Sequence, residues 1–159
     1  MIRKYLTLAS RIEGEFEEIK KLKERIEKAW QHVERNDDDL YLDSVALNLH
    51  GFYSALEKIF QLIAQEIDGT VPESASWHQD LLLQMKTDIK KIRPAVISID
   101  TYQKLEDYRG FRHIVRNVYT FNLSEKRVKP LIEDLDILIK GLGKEIEIFI
   151  EFLEEIGEE

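Results

Sequence analysis

The chain has no cysteine among its 159 residues. A disulfide framework, a thiolate zinc site and a cysteine nucleophile are therefore excluded, and a reducing compartment is consistent with the composition. With only 3 Pro and 7 Gly there are few turn-makers, which argues against the many short strands of a sandwich or barrel. No stretch comes near the roughly 20 apolar residues of a membrane span. Met1 to Leu6 leads to Arg11 and Glu13 before an apolar run of signal-peptide length can build up. The expected location is the cytoplasm, with no membrane partner. The four histidines, His32, His50, His78 and His113, show no i,i+4 pairing, so no metal site is expected. Gly141-Leu142-Gly143 lacks the preceding strand and third glycine of a dinucleotide loop, and no P-loop is present, so no cofactor is expected.

What is present is enough apolar material for a core, 43% hydrophobic against 34% charged, and a formal charge of −8 from 23 basic and 31 acidic side chains. This composition fits a single folded domain over residues 1–159. An acidic total repels nucleic acid on average, so a phosphate-binding role needs a local cluster of basic groups.

Helical periodicity runs through most of the chain. Tyr5, Leu8, Ile12, Ile19, Leu22, Ile26, Ala29 and Val33 recur every three or four residues, predicting one long amphipathic helix. Asn36-Asp37-Asp38-Asp39 breaks it, because short Asx side chains compete for backbone hydrogen bonds and then cap the next helix. A second stripe from Val45 to Ile67 ends at Asp68-Gly69. Ser76 and Gln79 have the spacing of a capping box for a shorter third helix carrying Leu81, Leu82, Met85, Ile89 and Ile92, which Pro94 ends. A fourth helix is expected over about 100–121. Ser124 caps a fifth with Val128, Leu131, Leu135, Leu138, Leu142, Ile146, Phe149 and Leu153, which Gly141 and Gly143 bend and whose acidic end, Glu154 to Glu159, frays. Helices of about 30 residues span roughly 45 Å. The fold class is all-α: an antiparallel bundle of about five helices, the first, second and fifth side by side.

The fourth helix carries the chemistry. Wound at about 100° per residue, Phe111, Ile114, Val115, Val118 and Phe121 gather on one side. Arg109, Arg112, His113, Arg116, Asn117, Tyr119 and Thr120 share the opposite arc, which holds no carboxylate. Two readings stay open. The arginines pair with acidic neighbours, as most surface charge does. Alternatively they form an anion site, since Arg presents a planar fork matching phosphate, His exchanges protons near neutral pH, and Tyr donates a hydrogen bond or accepts a group on its oxygen.

The run Arg112-His113-Ile114-Val115-Arg116-Asn117-Val118-Tyr119 resembles the R-x4-H-x-Y signature of HepT-like HEPN-domain proteins, with Asn117 where the usual histidine stands. The preceding Tyr108-Arg109-Gly110-Phe111 and the second-helix run Leu42 to Glu57 are similar to that group as well. The resemblance implies a homodimeric helical bundle in which the motif helices of two subunits share a cleft. It further implies an RNase toxin that cleaves RNA without metal, by attack of the 2′-hydroxyl on the adjacent phosphate, with Arg112 steadying the charge. A cognate nucleotidyltransferase antitoxin would silence it by transferring AMP to Tyr119. Arg109 and Arg116 are the expected further phosphate contacts.

Asn117 departs from the pattern, because an amide cannot exchange protons near neutral pH. His113, one turn earlier on the same arc, is a substitute. The alternative function is a non-catalytic module that binds nucleotide, RNA or the nucleotidyltransferase through the same face. His50, Tyr53 and Glu57 share a face of the second helix, as an accessory to the cleft, a buried polar ladder or a dimer contact.

Overall fold

The computed structural model describes residues 2–36, 38–117 and 123–158, and five α-helices run through them in chain order. They are α1 (Ile2–Asn36), α2 (Asp39–Ile63), α3 (Trp77–Met85), α4 (Ile99–Asn117) and α5 (Glu125–Glu158). No strand is present among the described residues, only an isolated bridge between Ile89 and Arg93. The all-α expectation holds.

The stripes read from periodicity are the buried faces. Leu8, Ile12, Ile19, Ile26 and Val33 of α1 are buried, as are Val45, Leu49, Phe52, Leu56, Ile59 and Ile63 of α2 and all eight stripe residues of α5. Burying each such side chain stabilises the fold by about 1.5–3 kcal/mol before conformational entropy is set against it. The ion pairs Lys58–Glu15 (2.7 Å) and Lys4–Glu66 (3.2 Å) show α2 running antiparallel to α1. On the other flank of α1, Lys23 bonds Asp136 at 2.8 Å and Phe16 meets Gly143, so α5 is antiparallel to it too. α4 packs between α2 and α5, with the Tyr108 hydroxyl donating to the Leu131 carbonyl at 2.6 Å. α1, α2, α4 and α5 thus form an up-down-up-down ring, and the short α3 leans on α2 and α4 from outside.

Helix ends follow side-chain chemistry. Asp38 caps α2 by accepting from the Leu40 N–H. The helix continues as a widened π-turn over Ala64–Asp68 and stops at Gly69, whose φ of 73° is the left-handed conformation expected at that glycine. Ser98 accepts from the Thr101 N–H at the start of α4, and Ser124 accepts from the Arg127 N–H at the start of α5.

Three expectations need correction. The capping box at Ser76 does not form; the hydroxyls of Ser74 and Ser76 both turn to Asp80, because a carboxylate is the stronger acceptor. α3 ends at Met85, whose carbonyl accepts from the Val96 and Ile97 N–H groups, so Ile89 and Ile92 lie in a turn rather than on the helix. The acidic tail remains helical to Glu158, with Leu153 and Gly157 buried beneath it. α5 is continuous through Gly141 and Gly143. At Gly143 an added Cβ would stand 3.4 Å from the Phe16 ring, an ordinary van der Waals contact, so the packing of α1 on α5 there does not depend on glycine.

The turn after α3 is tied down by a buried ion pair. Arg93 and Asp68 have side chains 0% and 2% exposed, and they meet through two parallel bonds of 2.6 and 2.7 Å. The remaining guanidinium protons go to the carbonyls of Thr87, Pro94 and Gln84. Removing one partner leaves the other charge buried and unpaired, a loss of about 3–5 kcal/mol. Arg93→Ala should lower the urea midpoint by that amount of stability, whereas Lys104→Ala, at a solvent-exposed pair, should change it by less than about 1 kcal/mol.

Candidate functional site

α4 turns Leu105, Tyr108 and Phe111 into the core, with Tyr108 edge-on to Phe52 at 5.6 Å between ring centroids. This orientation sends the opposite arc outward, toward the first turn of α3. Arg109, Arg112, His113, Arg116 and Asn117 line one cavity of about 240 Å³, and His78 of α3 forms its remaining wall. Five of the six expected site residues are therefore brought together. The sixth, Tyr119, lies outside the described residues, together with Val118, Thr120 and Phe121.

The three arginines differ in their partners. Arg109 is forked onto Glu106, one turn earlier on its own helix, at 2.8 and 3.3 Å. Arg112, with a side chain 14% exposed, reaches Glu57 of α2 at 3.6 Å and the Ser54 hydroxyl at 3.4 Å. Arg116 is exposed and makes no ion pair among the described residues. Pairing with acidic neighbours therefore accounts for two guanidiniums, and the third faces the cavity. The Asn117 amide donates to the His113 carbonyl at 2.7 Å, folding back onto its own helix.

His78 is the residue that sequence reasoning did not join to this site, and its partner is Glu57, one of the α2 residues read as an accessory to the cleft, a buried polar ladder or a dimer contact. Glu57 is 4% exposed, and one carboxylate oxygen lies 2.6 Å from His78 Nδ1. His78 Nε2 lies 3.5 Å from Arg112 Nη1. A carboxylate only accepts, so the 2.6 Å contact puts a ring proton on Nδ1 and turns Nε2 toward Arg112. Trp77 stacks on the same ring with centroids 3.5 Å apart. Residues 57, 78 and 112 sit on three helices, and no spacing within one helix announces them.

Of the α2 face expected from spacing, Tyr53 and Glu57 are buried and His50 is half-buried. Burial, then the nearby Glu57 carboxylate, pushes the Tyr53 hydroxyl far above its ordinary value, and that hydroxyl has no hydrogen-bond partner among the described residues. Burial, reinforced by Arg112 and Arg116, pulls His50 below the ordinary 6.5. Among the described residues no group of three or more acidic or histidine side chains is placed to hold a metal ion, and no helix is long and apolar enough to cross a membrane.

A larger groove of about 1060 Å³ lies between α1 and α5. Lysines and carboxylates alternate along it, among them Lys20, Lys23, Glu17 and Asp136, with no convergence of one chemistry. The α4 cavity is smaller, but three arginines and two histidines meet there.

A family model for HepT-like protein matches residues 44–153. The chain belongs to the HepT-like family. Comparison with curated proteins and with solved structures returns no match. The matched span reaches from the second turn of α2 into the last turns of α5 and contains Glu57, His78 and all the cavity residues of α4. In this HepT-like chain α1 stands outside the match while packing against both α2 and α5.

The depressed His50 gives a pH dependence. As pH falls through 6.5 the unfolded chain takes up that proton first, so stability drops. A histidine proton titration should place His50 below 6.5, and Arg116→Gln should move it part of the way back, since burial is the larger cause. A His50 value at or above 6.5 in the native protein would contradict the placement of this ring.

Proposed function

We propose that this HepT-like protein is a metal-independent RNA endonuclease of a toxin-antitoxin pair. The observation that supports it is the convergence of Arg109, Arg112, Arg116, His113 and His78 on one cavity in a chain of net charge −8. Arg112 holds the scissile phosphate and stabilises the charge gathering on its oxygens as the 2′-hydroxyl attacks. Arg109 and Arg116 contact flanking phosphates. At about 240 Å³ the cavity is smaller than most pockets that hold a ligand unaided, and a second copy of the chain, its own α4 opposite, would complete a cleft for the strand. Tyr119 is the residue to which a cognate nucleotidyltransferase would transfer AMP.

A second reading is a non-catalytic module that binds RNA, nucleotide or the nucleotidyltransferase on the same face. Asn117 favours it, since the amide stands at the motif histidine's position and its donor is already engaged by the His113 carbonyl.

Incubation with single-stranded RNA separates the two. The nuclease produces 2′,3′-cyclic phosphate ends, and Arg112→Ala lowers the rate by about 10²- to 10³-fold. Undiminished cutting by Arg112→Ala would remove the role given to that residue. Intact RNA with the wild type, together with cutting by Asn117→His, would establish the binding module. Co-expression with a nucleotidyltransferase partner should add the mass of one adenylate, and Tyr119→Phe should abolish that addition.

A further inference from the structure

We propose that His78, held by Glu57, is the proton-transferring group of the α4 cavity and carries out the step that Asn117 cannot. The inference rests on the nuclease reading above and deepens it. It is carried by the chain of contacts Glu57–His78–Arg112, which joins three helices at one wall of the cavity.

The geometry has the logic of an oriented base. A catalytic imidazole needs one nitrogen anchored, so that the other presents its lone pair in a defined direction. Glu57 supplies the anchor at 2.6 Å, is itself almost fully buried, and is held on the rigid α2. Trp77 restrains the ring plane. The side chain of His78 remains 23% exposed, enough to be reached from the cavity. Its Nε2 faces Arg112, and 3.5 Å is too long for a strong hydrogen bond, so a phosphate drawn to the guanidinium arrives beside the lone pair that Nε2 carries in the neutral ring.

His113 competes poorly for the task. It is exposed at the cavity, its Nδ1 lies 3.4 Å from the Asn117 amide, and no carboxylate among the described residues orients it.

In the step itself, His78 Nε2 takes the proton of the 2′-hydroxyl while O2′ forms a bond to phosphorus. The bond from phosphorus to O5′ breaks. The departing 5′-oxygen takes a proton from water, and the imidazolium returns its own proton to the hydroxide left behind. The products are a 2′,3′-cyclic phosphate and a 5′-hydroxyl, and the enzyme is unchanged. Glu57 acts through His78 as a positioning residue.

The test compares cleavage of a single-stranded RNA by the wild type, His78→Ala, His113→Ala and Glu57→Gln. Expected are a loss of about 10²- to 10⁴-fold for His78→Ala, less than about tenfold for His113→Ala, and recovery of His78→Ala activity on adding free imidazole. Glu57→Gln should lower kcat with little change in KM. Imidazole rescue reports proton transfer and is not expected from a residue that only supports the fold; should His78→Ala not fold, His78→Gln takes its place. A wild type that cuts together with a His78→Ala that cuts equally well overturns this inference and leaves the nuclease reading standing. So does loss of activity in a folded variant that imidazole does not restore. A wild type that cuts nothing overturns both.

Discussion

A carboxylate taken out of water must find cations, and Glu57 is the point at which this requirement organises the molecule. An unpaired buried ion costs several kcal/mol, so the fold that α2 accepts is one that brings positive or proton-bearing groups to it. They arrive from two other helices, His78 from α3 and Arg112 from α4. The same device recurs at the end of the π-turn that extends α2, where Asp68 receives Arg93 and Gln84. The short α3 is therefore pinned to α2 at its first turn and again near its last. Nine residues would form a marginal helix alone. Fixed at both ends, they make a stable wall for the cavity.

The long-range field and the local one have opposite signs. Net charge of −8 would keep polyanions away if it acted evenly over the surface. Salt screens exposed charges beyond about 8 Å at physiological ionic strength, so what a phosphate meets at α4 is set by the groups lining the cavity. Many of the acids lie on α1 and α5, where Lys23, Lys20 and Lys140 pair with them. Asp136, bonded by both Lys140 and Lys23, is held at about 2, well below the usual carboxylate range. Segregation of this kind lets an acidic protein keep one basic face, against moderate repulsion among arginines spaced one turn apart.

The three long helices were legible because burial imprints a period of 3.6 on the residues themselves. Each stripe in α1, α2 and α5 is a local record of which face meets the core. Stops were legible where one residue type decides them, as at Gly69 or Asp38. They were misread where a competing partner displaced the expected one. Ser76 has the right neighbour for a capping box, yet Asp80 takes its hydroxyl. Ile89 and Ile92 continue the apolar spacing of α3, yet the Met85 carbonyl turns to Val96, and Arg93 is drawn into the buried pair with Asp68. The acidic tail has the composition of a frayed end, yet the apolar residues interleaved in it are packed against the core.

For this protein, composition and periodicity were sufficient to establish an all-helical bundle and a single basic arc on α4, because both are properties of residues close together in the chain. Motif spacing was sufficient to suggest the HepT-like family for the same reason. Only the tertiary structure decided which arginines of the arc meet a carboxylate and which histidine stands beside Arg112. Glu57, His78 and Arg112 are separated by 21 and 34 residues. Their meeting depends on how three helices pack, and packing is set by the whole core, not by any segment that contains them.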